Sequence, residues 1–586
     1  MENLDVSRTL TTLADLLEIQ GASPFRIRAY RNAVNTINSL SRSLVSILEA
    51  GEDLTELSGV GKSVATHIGE LISTGRITRL EEVSAEIPIT LVELVRLDGV
   101  GPKKVRKLFE ELSVRTVDDL EAQLDAGTVE NLDGFGLKSV EKIRRSIEDH
   151  RKHTGRFQIH EVEKLIAGIL EHVKQTPGVE DVQVAGSLRR RKETIGDVDI
   201  LACCEGDGSS VVDHFVAYSG VDRISGQGST KGSVVLHSGL QVDLRVIPGQ
   251  SYGAALQYFS GSKAHNVALR TRAVRQGLRM NEWGVFRVPD GADPRTLGKE
   301  EGERLAGDSE EGVYDVLGLP WVPPELRENR GEVEAALGGT LPNLVTLEDI
   351  KGDLQMHSTW SDGKVSVEDM AIACRNLGYE YMAVTDHSQV MAMVQGLTPE
   401  RAREQWVELD EVRERVKGIE LLRSCEIDIL REGELDMPDD ILEELDLVVV
   451  SVHSFMDQDK KTMTERVLKA IMHPTVDILA HPTGRIINRR EPFEMDVDTV
   501  LEAAAELSVA VELNANPNRL DLSDVHVHRA RELGVPVVIS TDAHSPRGLL
   551  DMRFGVDQAR RGWLEVGDVL NTKTRDEFMA WVRRRA

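Results

Sequence analysis

The chain has 586 residues and carries 98 Asp and Glu against 70 Lys and Arg, a formal charge of −28. At roughly 100–200 residues per domain the length predicts three to five domains, with the 40% hydrophobic and 29% charged content of a globular protein. The absence of any apolar run of about 18 residues excludes a membrane helix. MENLDVSRTL lacks a signal pattern, and the four cysteines (Cys203, Cys204, Cys374, Cys425) have no CxxC spacing, which predicts a cytoplasmic protein without a Cys-built zinc site.

The acid excess alone argues against a nucleic-acid partner, which usually leaves a basic footprint. It is unevenly spread, however. Residues 346–586 hold 29 Lys+Arg and 46 Asp+Glu, a net of −17, and the other 345 residues account for −11. The charge step falls near a Pro-containing stretch, and 321–345 reads as a linker.

The first 150 residues read as amphipathic helices joined by short turns. One turn recurs at 35–40-residue spacing: LSGVGKS (57–63), LDGVGPKK (97–104) and LDGFGLKS (132–139). The paired glycines, Gly59 with Gly61, Gly99 with Gly101 and Gly134 with Gly136, allow a tight turn that opens backbone N–H groups at the next helix's N-terminus. Such a terminus favours phosphate oxygens, and Lys62, Lys103 and Lys138 add charge. The three turns resemble helix-hairpin-helix motifs, which grip the DNA backbone without reading bases. The expected division is a DNA-end-binding domain at 1–85 and a second hairpin domain at 86–150.

The middle segment, VAGSLRRRKETIGDVDILA (184–202), contains Gly186-Ser187, a run of arginines and Gly196-Asp197-Val198-Asp199. On a strand Asp197 and Asp199 face the same way, and a second strand, GLQVDLRVIP (239–248), adds Asp243. Three carboxylates on adjacent strands are what a two-Mg²⁺ phosphoryl-transfer site requires. The Gly186-Ser187 turn and Arg190 suit a nucleotide's phosphates.

This arrangement resembles the nucleotidyltransferase palm of family X DNA polymerases. SPFRIRAYRNAVNTI (23–37) and QYFSGSKAHNVALR (257–270) resemble that family's N-terminal domain and thumb. The resemblance implies a palm at 151–250 and a thumb at 251–320, binding gapped or primer-template DNA and deoxynucleoside triphosphates. It implies that Asp197, Asp199 and Asp243 hold two metals, and that Arg156, Gly186, Ser187, Arg190 and Gly196 lie at the nucleotide. Tyr258, Phe259, Ser260 and Gly261 would line the sugar, with Asn266 and Arg270 near the nascent base pair. Some relatives carry a Schiff-base Lys on the helix after the first hairpin; here His67 stands at that position, which predicts weak or absent deoxyribose-phosphate lyase activity.

In 346–586, apolar strand-like runs end in His or acid: DLQMHSTWSDG, YMAVTDHSQ, LLRSCEIDIL, LVVVSVHSF, DILAHPTGR and VPVVISTDAHSP. Repeating β/α units bring strand C-termini to one face of a barrel, and His with carboxylates suits Zn²⁺ or Mn²⁺. The pattern resembles a PHP (polymerase and histidinol phosphatase) domain. That resemblance implies a (βα)7-like barrel with up to three metals, held by His357, Glu426 and Asp542; by Asp362, His387 and His544; and by Glu426, His453 and His481. Gln355 departs from the family's first His. His526 and His528 are expected on a helix surface and His473 in a loop.

The fold class expected is multidomain α+β and α/β: helix-hairpin-helix domains, a palm with thumb, then the metallo-barrel. The function expected is short-gap filling, with a Mn²⁺-dependent 3′–5′ exonuclease or 3′-end phosphoesterase, in a monomer. The alternative is a polymerase fused to a barrel that serves as a scaffold or small-molecule phosphatase.

Overall fold

The computed structural model describes residues 3–37, 40, 42–95, 97, 99–152, 156–206, 208–289, 298 and 300–582; Asp98 and the side chain of Lys138 lie outside what it describes. The chain forms two compact units, Met1–Arg156 and Phe157–Ala586.

The first unit is helical because its apolar residues recur at helical spacing. Lys62–Thr74 buries Val64, Ile68 and Leu71, and Pro102–Leu112 buries Val105 and Leu108. One core runs from Val6 to Ile147, so the two expected domains at 1–85 and 86–150 share a single hydrophobic interior. The first glycine of each hairpin is left-handed, with φ of +80° at Gly59, +86° at Gly99 and +90° at Gly134. A side chain there would be strained.

The second unit begins with a five-stranded sheet. Its strands are β1 (Val179–Val184), β2 (Asp197–Cys204), β3 (Val221–Gln227), β4 (Lys231–Leu236) and β5 (Gln241–Ile247), in the order β1-β2-β5-β4-β3. β2 and β5 run parallel, and the other pairs antiparallel. Helices Gly249–Ser260 and Lys263–Arg275 follow, then an antiparallel three-stranded sheet (Leu278–Asn281, Gly284–Arg287, Glu303–Ala306). The segment 321–345, expected as a linker, is instead part of the folded body. It contains helix Glu332–Gly338 and buries Val322, Leu326 and Val333 in the same core as Ala254 and Leu269.

The last 230 or so residues form a barrel of seven parallel strands in chain order: β6 (Gly352–Asp353), β7 (Tyr381–Val384), β8 (Glu420–Asp428), β9 (Leu447–Ser451), β10 (Ile478–Leu479), β11 (Ala510–Asn514) and β12 (Val537–Ser540). Side chains alternate between its two apolar layers, as strand geometry demands: Tyr381 and Ala383 pack with Leu447 and Val538, and Met382 and Val384 pack under the helices. Beyond β6 and β12 the ring closes through Met356 pairing with Ala543, and Thr541 Oγ1 donates to Asp353 at 2.5 Å. No helix among the described residues is long and apolar enough to cross a membrane.

Candidate active sites in the palm and the barrel

In the palm, Asp197 and Asp199 lie on one face of β2, and the parallel register sets Asp199 directly beside Asp243 on β5. Burial, together with the charges of Asp197 and Asp243, pushes the Asp199 carboxyl up to about 6. A carboxylate cluster of this kind is stable when a cation stands between its members. Lys231 on β4 stands beside it, with Nζ 3.5 Å from Asp243 Oδ2, and the charges of Arg245 and Lys231 both act to lower the Asp199 carboxyl. Gly186 has φ of +61°, and a Cβ there would come within 2.9 Å of Asp199 Oδ2. The chain can turn over the carboxylate only without a side chain. Ser187 then sits in a one-turn helix, Gly186–Arg189, with no side-chain cap. Gly196 is exposed at the start of β2, and Arg156 is exposed at the end of the first unit.

Several expected nucleotide contacts are committed elsewhere. Arg190, expected at a triphosphate, is mostly buried; its Nε donates to Glu328 at 3.0 Å and its Nη1 to the Ser260 carbonyl. Glu328 is mostly buried, but Lys192, Arg561, Arg190 and Arg330 hold its carboxyl down at about 2. Ser260, expected at a sugar, turns its hydroxyl to Arg189 (2.6 Å), which also makes a bidentate pair with Glu310 at 2.8 and 2.7 Å. Gly261 lets Arg190 approach, since a Cβ would be 3.1 Å from Nη1. Asn266 is buried with its amide spent on the Tyr258 carbonyl (2.6 Å) and Gln257 (2.9 Å). Arg270 bonds back to the Asn266 carbonyl at 3.2 Å. Tyr258 and Phe259 form an edge-on pair, and Arg245 covers the Phe259 ring at 4.3 Å.

The hairpins place Gly61 and Gly101 as helix N-caps that offer no side-chain bond, with no atom within 4 Å of a Cβ there or at Gly136. Lys62 and Lys103 are exposed. Lys104 instead reaches back to the Gly99 carbonyl (3.0 Å) and Ser139 Oγ (2.7 Å). His67 bonds through Nδ1 to the Tyr30 hydroxyl at 2.8 Å, and burial lowers its pKa.

At the barrel mouth eight side chains from six strand ends converge. Asp362 meets His544 Nε2 at 3.2 Å and His387 Nε2 at 3.7 Å; His357 Nε2 lies 3.1 Å from Asp542. Glu426 is central, 3.2 Å from His387, 3.4 Å from His453 and 2.8 Å from His481. Ligand atoms of His357, Asp362, His387 and His544 lie within 4.8 Å of one another, as do those of His387, Glu426 and His453. The groups thus share members differently from the three expected triplets, with His387 common to both. Burial alone would raise Glu426, yet the imidazoles of His453, His387 and His481 hold it well below its usual range. Burial opposes protonation of His387 and His544, but Glu426 and Asp362 lift them to about 9.

Buried polar atoms at this mouth lack hydrogen-bond partners: both ring nitrogens of His357, Nδ1 of His387 and of His481, Oε2 of Glu426 and both amide atoms of Gln355. Unpartnered buried donors and acceptors are costly, and several in one place fit a set of divalent cations. Sequence reading missed four supporting residues. Asp428 accepts from the His453 backbone N–H at 2.9 Å; Glu512 accepts from that of His481 at 2.6 Å; Asn514 donates to Asp542 at 3.2 Å; and Arg519 stands 3.6 Å from Asp542. The signal was present: Glu426 with Asp428, and Glu512 with Asn514, are polar at alternate positions near the ends of their strands. His528, expected on the surface, is on the expected helix but packs its ring against Trp563 at 5.3 Å. His473 is in a turn.

Comparison with known proteins agrees with this geometry. Family models match a helix-hairpin-helix domain at residues 1–77, a SAM-like helix-hairpin-helix tandem at 91–149, the DNA polymerase beta palm at 156–235, the DNA polymerase beta thumb at 255–328 and a PHP domain at 353–516. The DNA polymerase/3′-5′ exonuclease PolX of Bacillus subtilis is 39% identical over 586 residues, all of both chains. DNA polymerase lambda of Arabidopsis thaliana is 26% identical over 55% of this chain and 62% of its own, and that of Rattus norvegicus 26% over 56% of each. With palm, thumb and a C-terminal PHP barrel in one chain, and full-length identity to a protein of that layout, this chain belongs to the family X DNA polymerases that carry a PHP domain.

Proposed function

We propose that the chain fills short gaps in DNA by adding deoxynucleotides at the palm, and removes 3′-terminal nucleotides or blocking groups at the barrel. The observation that carries the first half is the Asp197, Asp199 and Asp243 cluster beneath Gly186. The second half rests on the eight converging His and carboxylate groups with their unpartnered atoms.

In the palm the three carboxylates would hold two Mg²⁺ ions, which supply charge neutralisation at the attacking and leaving oxygens. Ser187 and the open Gly186 turn orient the triphosphate, and Tyr258 and Phe259 back the sugar. Arg190 reaches the phosphates only by sharing its guanidinium with Glu328. In the barrel the imidazole and carboxylate set suits Mn²⁺ or Zn²⁺, up to three ions, which supply Lewis acidity and a nucleophile at neutral pH. There Asp428 and Glu512 fix His453 and His481 by their backbones, and Gln355 contributes an amide where an imidazole would bind more strongly. The hairpins hold gapped or primer-template DNA by its backbone, and the enzyme acts as a monomer. A neutral, half-buried His67 cannot form the iminium of a lyase.

The test is a pair of variants on primer extension with Mg²⁺ and primer digestion with Mn²⁺. Asp197→Ala lowers extension by at least roughly 10²-fold, the scale of losing one electrostatic stabiliser, and leaves digestion intact; His387→Ala does the reverse. Loss of both activities in either variant contradicts two independent centres.

A further inference from the structure

Beside the barrel's polar centre the mouth carries an apolar rim that the metal-binding groups do not use. Phe455 lies two residues past His453, is half exposed and has φ of +50°, a conformation that costs a bulky residue energy. That strain is held by a built support. Arg466, itself 2% exposed, donates to the carbonyls of Ser454 (2.9 Å), Phe455 (3.3 Å) and Leu430 (2.8 Å), and Ser454 Oγ donates to Asp428 at 3.0 Å. Arg431, from the neighbouring loop and itself mostly exposed, lies over the Phe455 ring at 5.3 Å. On the loop after β7, Met393 is 98% exposed, and that loop is tied to the next by the Val390 N–H bond to Asp436 at 2.6 Å.

Three successive loops therefore hold an aromatic ring, a guanidinium and a thioether out in solvent beside a phosphoester-hydrolysing centre. A ring held open against its own backbone preference serves a flat apolar ligand, and the adjacent cation suits a phosphate. Single-stranded nucleic acid combines both features, and aromatic platforms bind it through base stacking. We propose that Phe455, with Arg431 over its ring, is a stacking subsite for the nucleobases of a single-stranded DNA 3′ end, seating the terminal phosphodiester at the barrel's metal centre. This rests on the reading of the barrel as a 3′-end phosphodiesterase and adds how it grips its substrate.

The test compares two 5′-labelled oligonucleotides with Mn²⁺, one ending in ordinary nucleotides and one whose three terminal residues are base-free tetrahydrofuran analogues. Phe455→Ala should raise KM for the ordinary end by about 5- to 150-fold, the range of one lost base stack. kcat should move far less, and KM for the base-free end should be unchanged. Phe455→Trp should restore the ordinary KM, and its indole fluorescence should be quenched by the ordinary oligonucleotide in EDTA, where no hydrolysis occurs. An unchanged KM for Phe455→Ala, or an equal rise on both ends, overturns the proposal; the first would return the rim to a protein-docking surface and the second to a structural part. If the wild-type enzyme digests neither oligonucleotide, the phosphodiesterase reading fails as well, and quenching that is also absent removes the subsite with it.

Discussion

Single positions decide whether each centre can exist. Gly186 is the clearest, because any Cβ would press on Asp199 and its φ is left-handed. Gly186→Ala should cost about 1–2 kcal/mol of stability and depress primer extension while Mn²⁺-dependent digestion is kept, read by melting and by the two assays together. His67 marks the converse case, where the lyase chemistry proposed to be absent would need an amine. With Tyr30 beside it and burial lowering its pKa, His67→Lys places an amine of depressed pKa on the hairpin helix. That variant should trap covalently with borohydride on pre-incised abasic DNA where the wild type does not. Strong wild-type trapping at this helix would contradict the assignment. At this scale the sequence names residue types that the structure brings together, Asp199 beside Asp243 and the strand-end histidines at one barrel mouth. It does not show partners that come from far along the chain. Nothing near Arg190 or Ser260 announces that Glu328 and Arg189 will engage them.

Among the elements, the hairpins and barrel strands were legible because each has a local period. Two glycines before a helix, repeated three times, specify left-handed turns that the structure has at Gly59, Gly99 and Gly134. Apolar runs ending in His specify strands feeding one rim. The stretch 321–345 was not legible, since its prolines and glycines resemble a linker, although Val322, Leu326 and Val333 enter the core. The hairpins carry their own prediction. Lys62 and Lys103 stand exposed at uncapped helix starts. Lys62→Ala with Lys103→Ala should weaken binding of gapped DNA uniformly across sequences and shrink the slope of log affinity against log salt by about 2. A slope unchanged from wild type would remove these hairpins from the DNA contact.

At the scale of the whole molecule, palm, thumb and barrel are joined by ion pairs, mostly part-buried, that no local pattern foretells. Arg191 pairs with Asp557 and Glu163, Arg485 with Glu193, and Arg561 donates to the Arg190 carbonyl (2.6 Å) while pairing with Glu328 and Asp524. A barrel residue therefore braces the backbone of the palm's arginine run. Arg561→Met leaves Glu328 and Asp524 short of a cation and should cost roughly 3–5 kcal/mol, visible as a lowered melting temperature. The same pairs set the acid limit. Glu310 is held down at about 2 by Arg189 and Arg327, and Glu328 at about 2 by Lys192 together with Arg561, Arg190 and Arg330. Their contribution is fully present above the ordinary glutamate pKa of about 4.3 and is lost as pH falls from there toward 2. Melting temperature should drop steeply over that window, less so in Glu328→Gln. The −28 charge belongs to this scale too. Part of it faces the metal centres and part is matched across the interfaces, so the net value forecasts salt-sensitive DNA binding rather than its absence.

The central claim is that two independent centres in one chain act on the same DNA end. A gapped duplex whose primer ends in two mispaired nucleotides tests it directly, because filling requires trimming first. Wild-type enzyme should fill the gap with Mn²⁺ and Mg²⁺ present, Asp197→Ala should only trim, His387→Ala should do neither, and an equimolar mixture of the two variants should restore filling. Complete filling by either variant alone, or a mixture that fails although each keeps its own activity on simple substrates, would contradict it.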